Sequence, residues 1–270
     1  MKLSIVISTQ PATFNALAYK GKVAENIEKV RKLGYDGVEL AVRDPRLLDL
    51  AVVKALTIDT GFPVSALGTG QAFGEEGLSF SSPDRTIRRK AIERIKSHID
   101  VAAQLNAIVI IGLIRGIVKP GDDPEQAEAW IIEALDTCAA VNPDVKLVIE
   151  PCNRYEANTV NTVGEGMALV DKLGRANVGL LLDTFHMNIE EPDMLESIEN
   201  AGQRLFHFHI ADSNRWYPGA GHIDFQAVCW KLSQIGYAGF LSAEILPLPD
   251  ADTAAEMTIH TMRNLENIKK

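Results

Sequence analysis

Eight short apolar runs, each followed by a longer amphipathic stretch, divide this chain from end to end. The runs are LSIVIS (3–8), GVELAV (37–42), PVSALG (63–68), AIVIIGL (107–113), KLVIE (146–150), VGLLLD (178–183), LFHFHI (205–210) and FLSAEI (240–245). Their near-continuous apolarity is what strands covered on both faces require, because a one-sided strand would alternate. Helical periodicity fills the intervals at 24–33, 45–60, 125–141, 164–173, 194–201, 225–235 and 253–268. A further helix follows Ser82-Pro83 and runs to about residue 104. Gly34 reads as a C-cap, and Ser82-Pro83 as a cap-and-proline start. Strict alternation predicts an α/β fold, a (β/α)8 TIM barrel in one domain over residues 1–270, although a doubly wound open sheet shares the pattern.

Bulk properties narrow the function classes. A single barrel typically needs about 250 residues, so 270 fit one domain, and no composition break or Pro/Ser-rich linker interrupts them. The formal net charge of -9 argues against a nucleic-acid partner, whose phosphates call for a basic surface. No apolar stretch is long enough for a membrane span, and MKLSIVIST reads as a first strand rather than a signal peptide. Cys138, Cys152 and Cys229 share no CxxC spacing and read as small buried hydrophobes of a reducing, cytoplasmic compartment.

Barrel enzymes carry their chemistry at the C-terminal ends of the strands. Here those ends hold Glu150, Asp183, His209 and Glu244 on four consecutive predicted strands, the fifth to the eighth. A lone strand-end acid is more often structural than catalytic, but four polar residues in register are hard to explain that way. Three carboxylates and an imidazole brought together repel unless a cation sits among them. The oxygen-rich set suits Mn²⁺, Mg²⁺ or Co²⁺ better than structural zinc. The following loops read PCNRYE, TFHMNIEE and ADSNRW, which places Glu156, His186 and Arg215 above that cluster as contacts for a hydroxylated ligand. Taken alone, His186 would be a satisfied structural histidine. His207, two residues before His209, reads as packing or as support for its neighbour.

The strings LDTFHMNIEE and HFHIADSNR, with the strand-five glutamate followed by NRYE, resemble the ketose 3-epimerase group of the xylose-isomerase-like barrel superfamily. The resemblance spans nearly the whole chain and is strongest over 146–247. It implies one divalent metal ion, Mn²⁺ before Mg²⁺ or Co²⁺, held by Glu150, Asp183, His209 and Glu244. It further implies Glu150 and Glu244 as the acid–base pair, and Glu156, His186 and Arg215 at the substrate's carbonyl end. The implied reaction inverts the carbinol carbon beside a ketone through a cis-enediolate, in a homodimer or homotetramer acting on a small sugar.

One departure bears on the substrate. After strand four, IGLIRG stands where an aromatic-containing loop is expected, which suggests a keto-uronate whose carboxylate meets Arg115 or, failing that, Arg43. Either arginine could instead pair with an acid such as Asp44 or Asp122. The competing readings are an inosose-type dehydratase, an aldose–ketose isomerase and a non-catalytic sugar sensor. A metal-dependent endonuclease fits poorly with six histidines and an acidic chain.

Overall fold

In the computed structural model, which describes residues 1–268, the strands form a closed parallel barrel. We number them β1 (Lys2–Ser8), β2 (Val38–Ala41), β3 (Val64–Gly68), β4 (Ile108–Ile111), β5 (Leu147–Ile149), β6 (Val178–Asp183), β7 (Leu205–Ile210) and β8 (Phe240–Ala243). Each pairs with the next, and β1 closes on β8 through Leu3 opposite Leu241 and Ser4 opposite Ser242. That closure excludes the open sheet. A two-residue strand, Tyr19–Lys20, extends the ladder beside the C-terminal end of β1.

The elements begin and end where local chemistry directs. Thr162 and Glu165 form a reciprocal capping box at helix Val163–Leu173, and Asp123 caps Pro124–Ala139 with Pro at its first turn. The predicted helix over 45–60 is broken: the turn Pro45–Leu47 precedes a helix Leu50–Leu56 capped by Asp49, and Ile58–Thr60 forms a second turn. Two short helices went unforeseen, Gly70–Glu76 after β3 and Thr184–Glu190 after β6. Both lie in strand-to-helix loops, where periodicity has too few residues to register.

The larger core fills the space between barrel and helices, while Ala66, Ile110, Val148 and Leu181 from β3 to β6 form a separate small cluster. No described helix is long and apolar enough to cross a membrane.

Arg115 does not project from the rim as expected; it is fully buried. Its Nη1 donates to the carbonyls of Ile111 (3.0 Å), Gly112 (3.1 Å) and Glu150 (2.5 Å), and its Nη2 to those of Thr159 (3.0 Å) and Val160 (3.4 Å). The next residue, Gly116, sits at φ +94°, where a Cβ would fall 1.9 Å from the Ser79 hydroxyl. The turn Leu113–Arg115 therefore folds the arginine inward, and its fork clamps the loop after β5 onto the end of β4. This corrects the assignment of Arg115 to a substrate carboxylate: both terminal nitrogens of its fork are committed to backbone oxygens, and the side chain is buried beneath the rim.

Removing the clamp takes the N–H donor from the Glu150 and Thr159 carbonyls, whereas those of Ile111, Gly112 and Val160 keep backbone amide donors. Arg115→Met should destabilise the barrel by roughly 2–4 kcal/mol, the cost of two acceptors losing a charged donor. The check is the urea midpoint at unchanged m-value. A loss below about 1 kcal/mol, within the range of an ordinary surface change, would refute the clamp.

Candidate metal centre and active site

A cavity of about 450 Å³ opens at the C-terminal rim of the barrel. At its floor, ligand atoms of Glu150, Asp183, His209 and Glu244 all lie within 4.8 Å of one another. Strand register accounts for the convergence. Asp183 on β6 is the direct partner of His209 on β7, and His209 is the partner of Ser242 on β8. Glu244, two residues past Ser242, shares its face by the strand period of two. Glu150 and Glu244 each stand one residue past the strand that carries them, so they cap the wall rather than belong to it. Gly112 makes room for the first: a Cβ there would fall 2.6 Å from Glu150 Oε2.

Two atoms of the cluster are conspicuously unpaired. Asp183 uses Oδ1 to accept the Phe185 amide (2.8 Å) and so caps helix Thr184–Glu190, but its buried Oδ2 has no hydrogen-bond partner. His209 Nδ1 is also buried and unpartnered, 3.8 Å from Glu150 Oε1 and 4.0 Å from Glu244 Oε2. Buried polar atoms are seldom left so. A set of three carboxylates and one imidazole nitrogen with orphaned donors turned inward fits a hard divalent cation.

Behind this set stands a residue that the sequence reading missed. Glu39 on β2 is buried and accepts from His209 Nε2 (3.0 Å) and His207 Nε2 (2.7 Å). It fixes the His209 ring so that Nδ1 is the nitrogen presented to the cluster, as carboxylate–histidine pairs do behind metals. A single acid within the apolar VELA of β2 was the available signal.

The electrostatics follow from crowding. Burial first, then the Glu244 charge, pushes Glu150 up to about 8. Burial likewise raises Asp183 and Glu244. Burial opposes protonation of His209, yet the Glu39 carboxylate outweighs it and lifts the imidazole to about 10. The same contacts hold Glu39 well below the usual carboxylate range in spite of its burial. A cation entering this pocket would compete with protons for these carboxylates.

Above the cluster, His186 is buried, with Nε2 3.8 Å from Glu150 Oε1 and 3.9 Å from Asp183 Oδ2. Asn153, also unforeseen, determines its tautomer. Asn153 Oδ1 accepts from the Tyr155 amide (3.0 Å), so Nδ2 is the end that reaches His186 Nδ1 (2.8 Å) and Glu156 Oε1 (3.1 Å). His186 Nδ1 must then accept, which leaves the proton on Nε2, facing the cluster. Burial keeps this imidazole neutral by lowering its pKa well below the ordinary value.

Arg215 joins the two halves of the rim, donating to Glu156 Oε1 (2.5 Å) and Glu244 Oε2 (2.8 Å) between the rings of Phe14 and Phe185. Arg43 lies elsewhere: its Nε is 3.7 Å from Glu76 Oε1, and it does not line the cavity. The two arginines expected to meet a carboxylate are therefore both absent from the pocket. Arg215 is the single Lys or Arg among the described lining residues.

Comparison with known proteins agrees with this architecture. Residues 27–265 match the family model described as the xylose isomerase-like TIM barrel. The chain is 34% identical over 239 residues to an L-ribulose 3-epimerase of Methylomonas sp. (strain DH-1), covering 87% of this chain and 82% of that one. It is 38% identical over 252 residues to a D-psicose 3-epimerase of Enterocloster bolteae, covering 86% and 80%. Among solved structures, D-allulose 3-epimerase from Methylomonas sp. in complex with D-allulose superposes with a TM-score of 0.82 at 28% identity, over 97% of both chains. The chain belongs to the xylose isomerase-like TIM-barrel family.

A metal-retention experiment tests the cluster directly. Asp183→Asn keeps an oxygen to cap helix Thr184–Glu190, so the barrel should fold normally by circular dichroism while Mn²⁺ retention on desalting is lost. Glu39→Gln should weaken Mn²⁺ binding about 10- to 100-fold in calorimetric titration, the usual effect of removing a residue that orients a ligand. Wild-type affinity in Asp183→Asn would mean that this cluster is not the metal site.

Proposed function

We propose that this member of the xylose isomerase-like TIM-barrel family is a divalent-metal-dependent epimerase that inverts the carbinol carbon beside the ketone of a ketose or keto-uronate. The observation that carries the reading is the convergence of Glu150 and Glu244 on the cluster completed by Asp183 and His209. Its relatives named L-ribulose and D-psicose 3-epimerases support the same chemistry, which is that of an isomerase.

Epimerisation needs a proton taken from one face of a carbon and another delivered to the opposite face. Glu150 and Glu244 come from β5 and β8, with β6 and β7 between them, so the two carboxyl groups enter the cluster from separate parts of the wall. One accepts the proton while the other, protonated, returns one to the opposite face, and the roles exchange with the direction of reaction. Burial favours the protonated form of each, and the bond from Arg215 sets the Glu244 orientation. The neutral His186 offers its Nε2 proton to negative charge developing on a substrate oxygen. Arg215 and Glu156 present a fixed donor–acceptor pair beside it. A divalent cation held by Glu150, Asp183, His209 and Glu244 would supply Lewis-acid stabilisation of that charge.

Two substrate classes deserve separate trial. The segments MKLSIVIST, VELAVRDP, ALGTGQA and VIIGLIRG resemble bacterial 5-keto-L-gluconate epimerase, which makes 5-keto-L-gluconate and D-tagaturonate the first pair to test. A neutral ketohexose of the D-tagatose or D-psicose type is the second, favoured by a cavity in which the one arginine among the described lining residues is already bonded to two carboxylates. Both leave the reacting end unchanged.

In D₂O with Mn²⁺, the enzyme should incorporate deuterium at the inverted carbon alone and return a product of otherwise unchanged mass. Loss of water would identify a dehydratase, and an aldose product an isomerase of the other kind. Glu150→Gln and Glu244→Gln should each lower epimerisation by about 10²- to 10⁴-fold, the contribution of a positioned acid or base. One of them should still exchange the proton of one epimer with solvent. Full activity in either variant would sink the two-carboxylate scheme.

A further inference from the structure

Apart from the metal cluster and Arg215, the described cavity lining contains one buried side-chain atom that the protein leaves without a partner. Gln71 is the second residue of helix Gly70–Glu76, lines the cavity, and is 6% exposed. Its Nε2 donates to Ser8 Oγ at the end of β1 (2.6 Å), and Ser8 Oγ donates to the Gln10 carbonyl (2.5 Å). A hydroxyl has one proton, and a carbonyl can only accept. Ser8 Oγ therefore spends its proton on Gln10 and must receive one from Gln71, which fixes the orientation of the glutamine amide. The group left over is Oε1, buried and without a partner.

Among the described cavity-lining residues, three have a buried side-chain atom without a partner: His209 Nδ1, Arg215 Nε and Gln71 Oε1. The first two belong to the reacting end. Other polar groups of the lining are engaged, Thr69 Oγ1 with the Ile110 carbonyl (2.7 Å) and Thr13 Oγ1 with Glu75 Oε1 (2.7 Å). An unpaired buried acceptor is costly, so a donor is expected to reach it in the working enzyme.

We infer that Gln71 Oε1 accepts a hydrogen bond from a substrate hydroxyl beyond the reacting carbon, and that it thereby determines specificity along the sugar chain. The inference rests on the epimerase reading. The free atom is an acceptor, so it selects a donor: a hydroxyl satisfies it, whereas a carboxylate or a second ketone would face it oxygen to oxygen. A keto-uronate would thus present one of its chain hydroxyls here and keep its carboxylate elsewhere.

The test compares wild type with Gln71→Leu and Gln71→Met, which fill the space without an oxygen acceptor, all loaded with Mn²⁺. The kcat/KM is measured on the better of the two substrates and on its analogues lacking one hydroxyl beyond the reacting carbon. Wild type should lose about 10- to 100-fold on one such analogue, because a site built to bond a hydroxyl discriminates against its absence. The variants should lose a similar factor on the parent sugar and nothing further on that analogue. Equal losses on every substrate would make Gln71 a structural support of Ser8, and an unchanged parent rate would mean that solvent satisfies Oε1; either overturns the inference. Calorimetric binding of the same sugars supplies a readout without turnover. Sugars that wild type binds but does not invert would defeat the epimerase reading alone, whereas equal affinity in wild type and Gln71→Leu would defeat the role of Gln71 alone.

Discussion

The rest of this site depends on one electrostatic constraint: too many carboxylates share too little space for the protein's own cations to balance them. Two unit charges 4.8 Å apart repel by roughly 3 kcal/mol at an effective dielectric constant near 20, and this floor holds several such pairs. Glu39 takes up both histidines of β7, and Arg215 is divided between Glu156 and Glu244. Glu150 and Asp183 are left with no Lys or Arg in hydrogen-bonding contact with their carboxylates. Burial then drives both toward the protonated form, Glu150 to about 8. A divalent cation converts these repulsions into attractions, and it is the simplest resolution open to this set of donors.

The barrel is what makes the crowding possible. A parallel ladder advances neighbouring strands in step, so Asp183 and His209 are partners and Glu244 follows two residues behind Ser242. Asp183 serves two elements at once, ending β6 and capping the helix that begins at Thr184. One of its oxygens is thereby held by the backbone while the other faces the cluster, an economical way to orient a carboxylate without a second side chain. On the far side, Arg115 does related work from beneath. It bonds the Glu150 carbonyl and the Thr159 and Val160 carbonyls together, so the loop bearing Asn153 and Glu156 is tied to the same rim.

How much of this could be read from the chain depended on whether a residue's direction is set by a strand or by a loop. Asp183 and His209 sit on strands, where alternation dictates the face, and Glu150 and Glu244 lie one residue beyond. Their convergence was legible from spacing alone. Arg115 and Arg43 lie in turns, where a rotation of the backbone decides whether a long side chain points out or in; one folds beneath the rim and the other joins Glu76. Glu39 was overlooked because it stands within β2 rather than at its end, and its meaning depends on a pairing across the barrel with residues 168 and 170 positions away. Gln71 was invisible for a different reason: its role lies in which of its two amide atoms is already used.

These residues together bear on how an acidic sugar could be accommodated. The cavity wall contributes Glu39, Glu75, Glu150, Glu156 and Glu244, against one arginine that is doubly engaged. A substrate carboxylate driven deep into such a pocket would lose its hydration and meet mostly negative charge. Placed at the mouth, where Thr13 and Glu75 are exposed, it could remain solvated while the ketone end reached the cluster. In that arrangement an ion pair is not what separates a keto-uronate from a neutral ketose. Discrimination passes instead to the chain hydroxyls between the two ends, and Gln71, with its amide held by Ser8, is the cavity-lining group with an oxygen left free to accept from one of them.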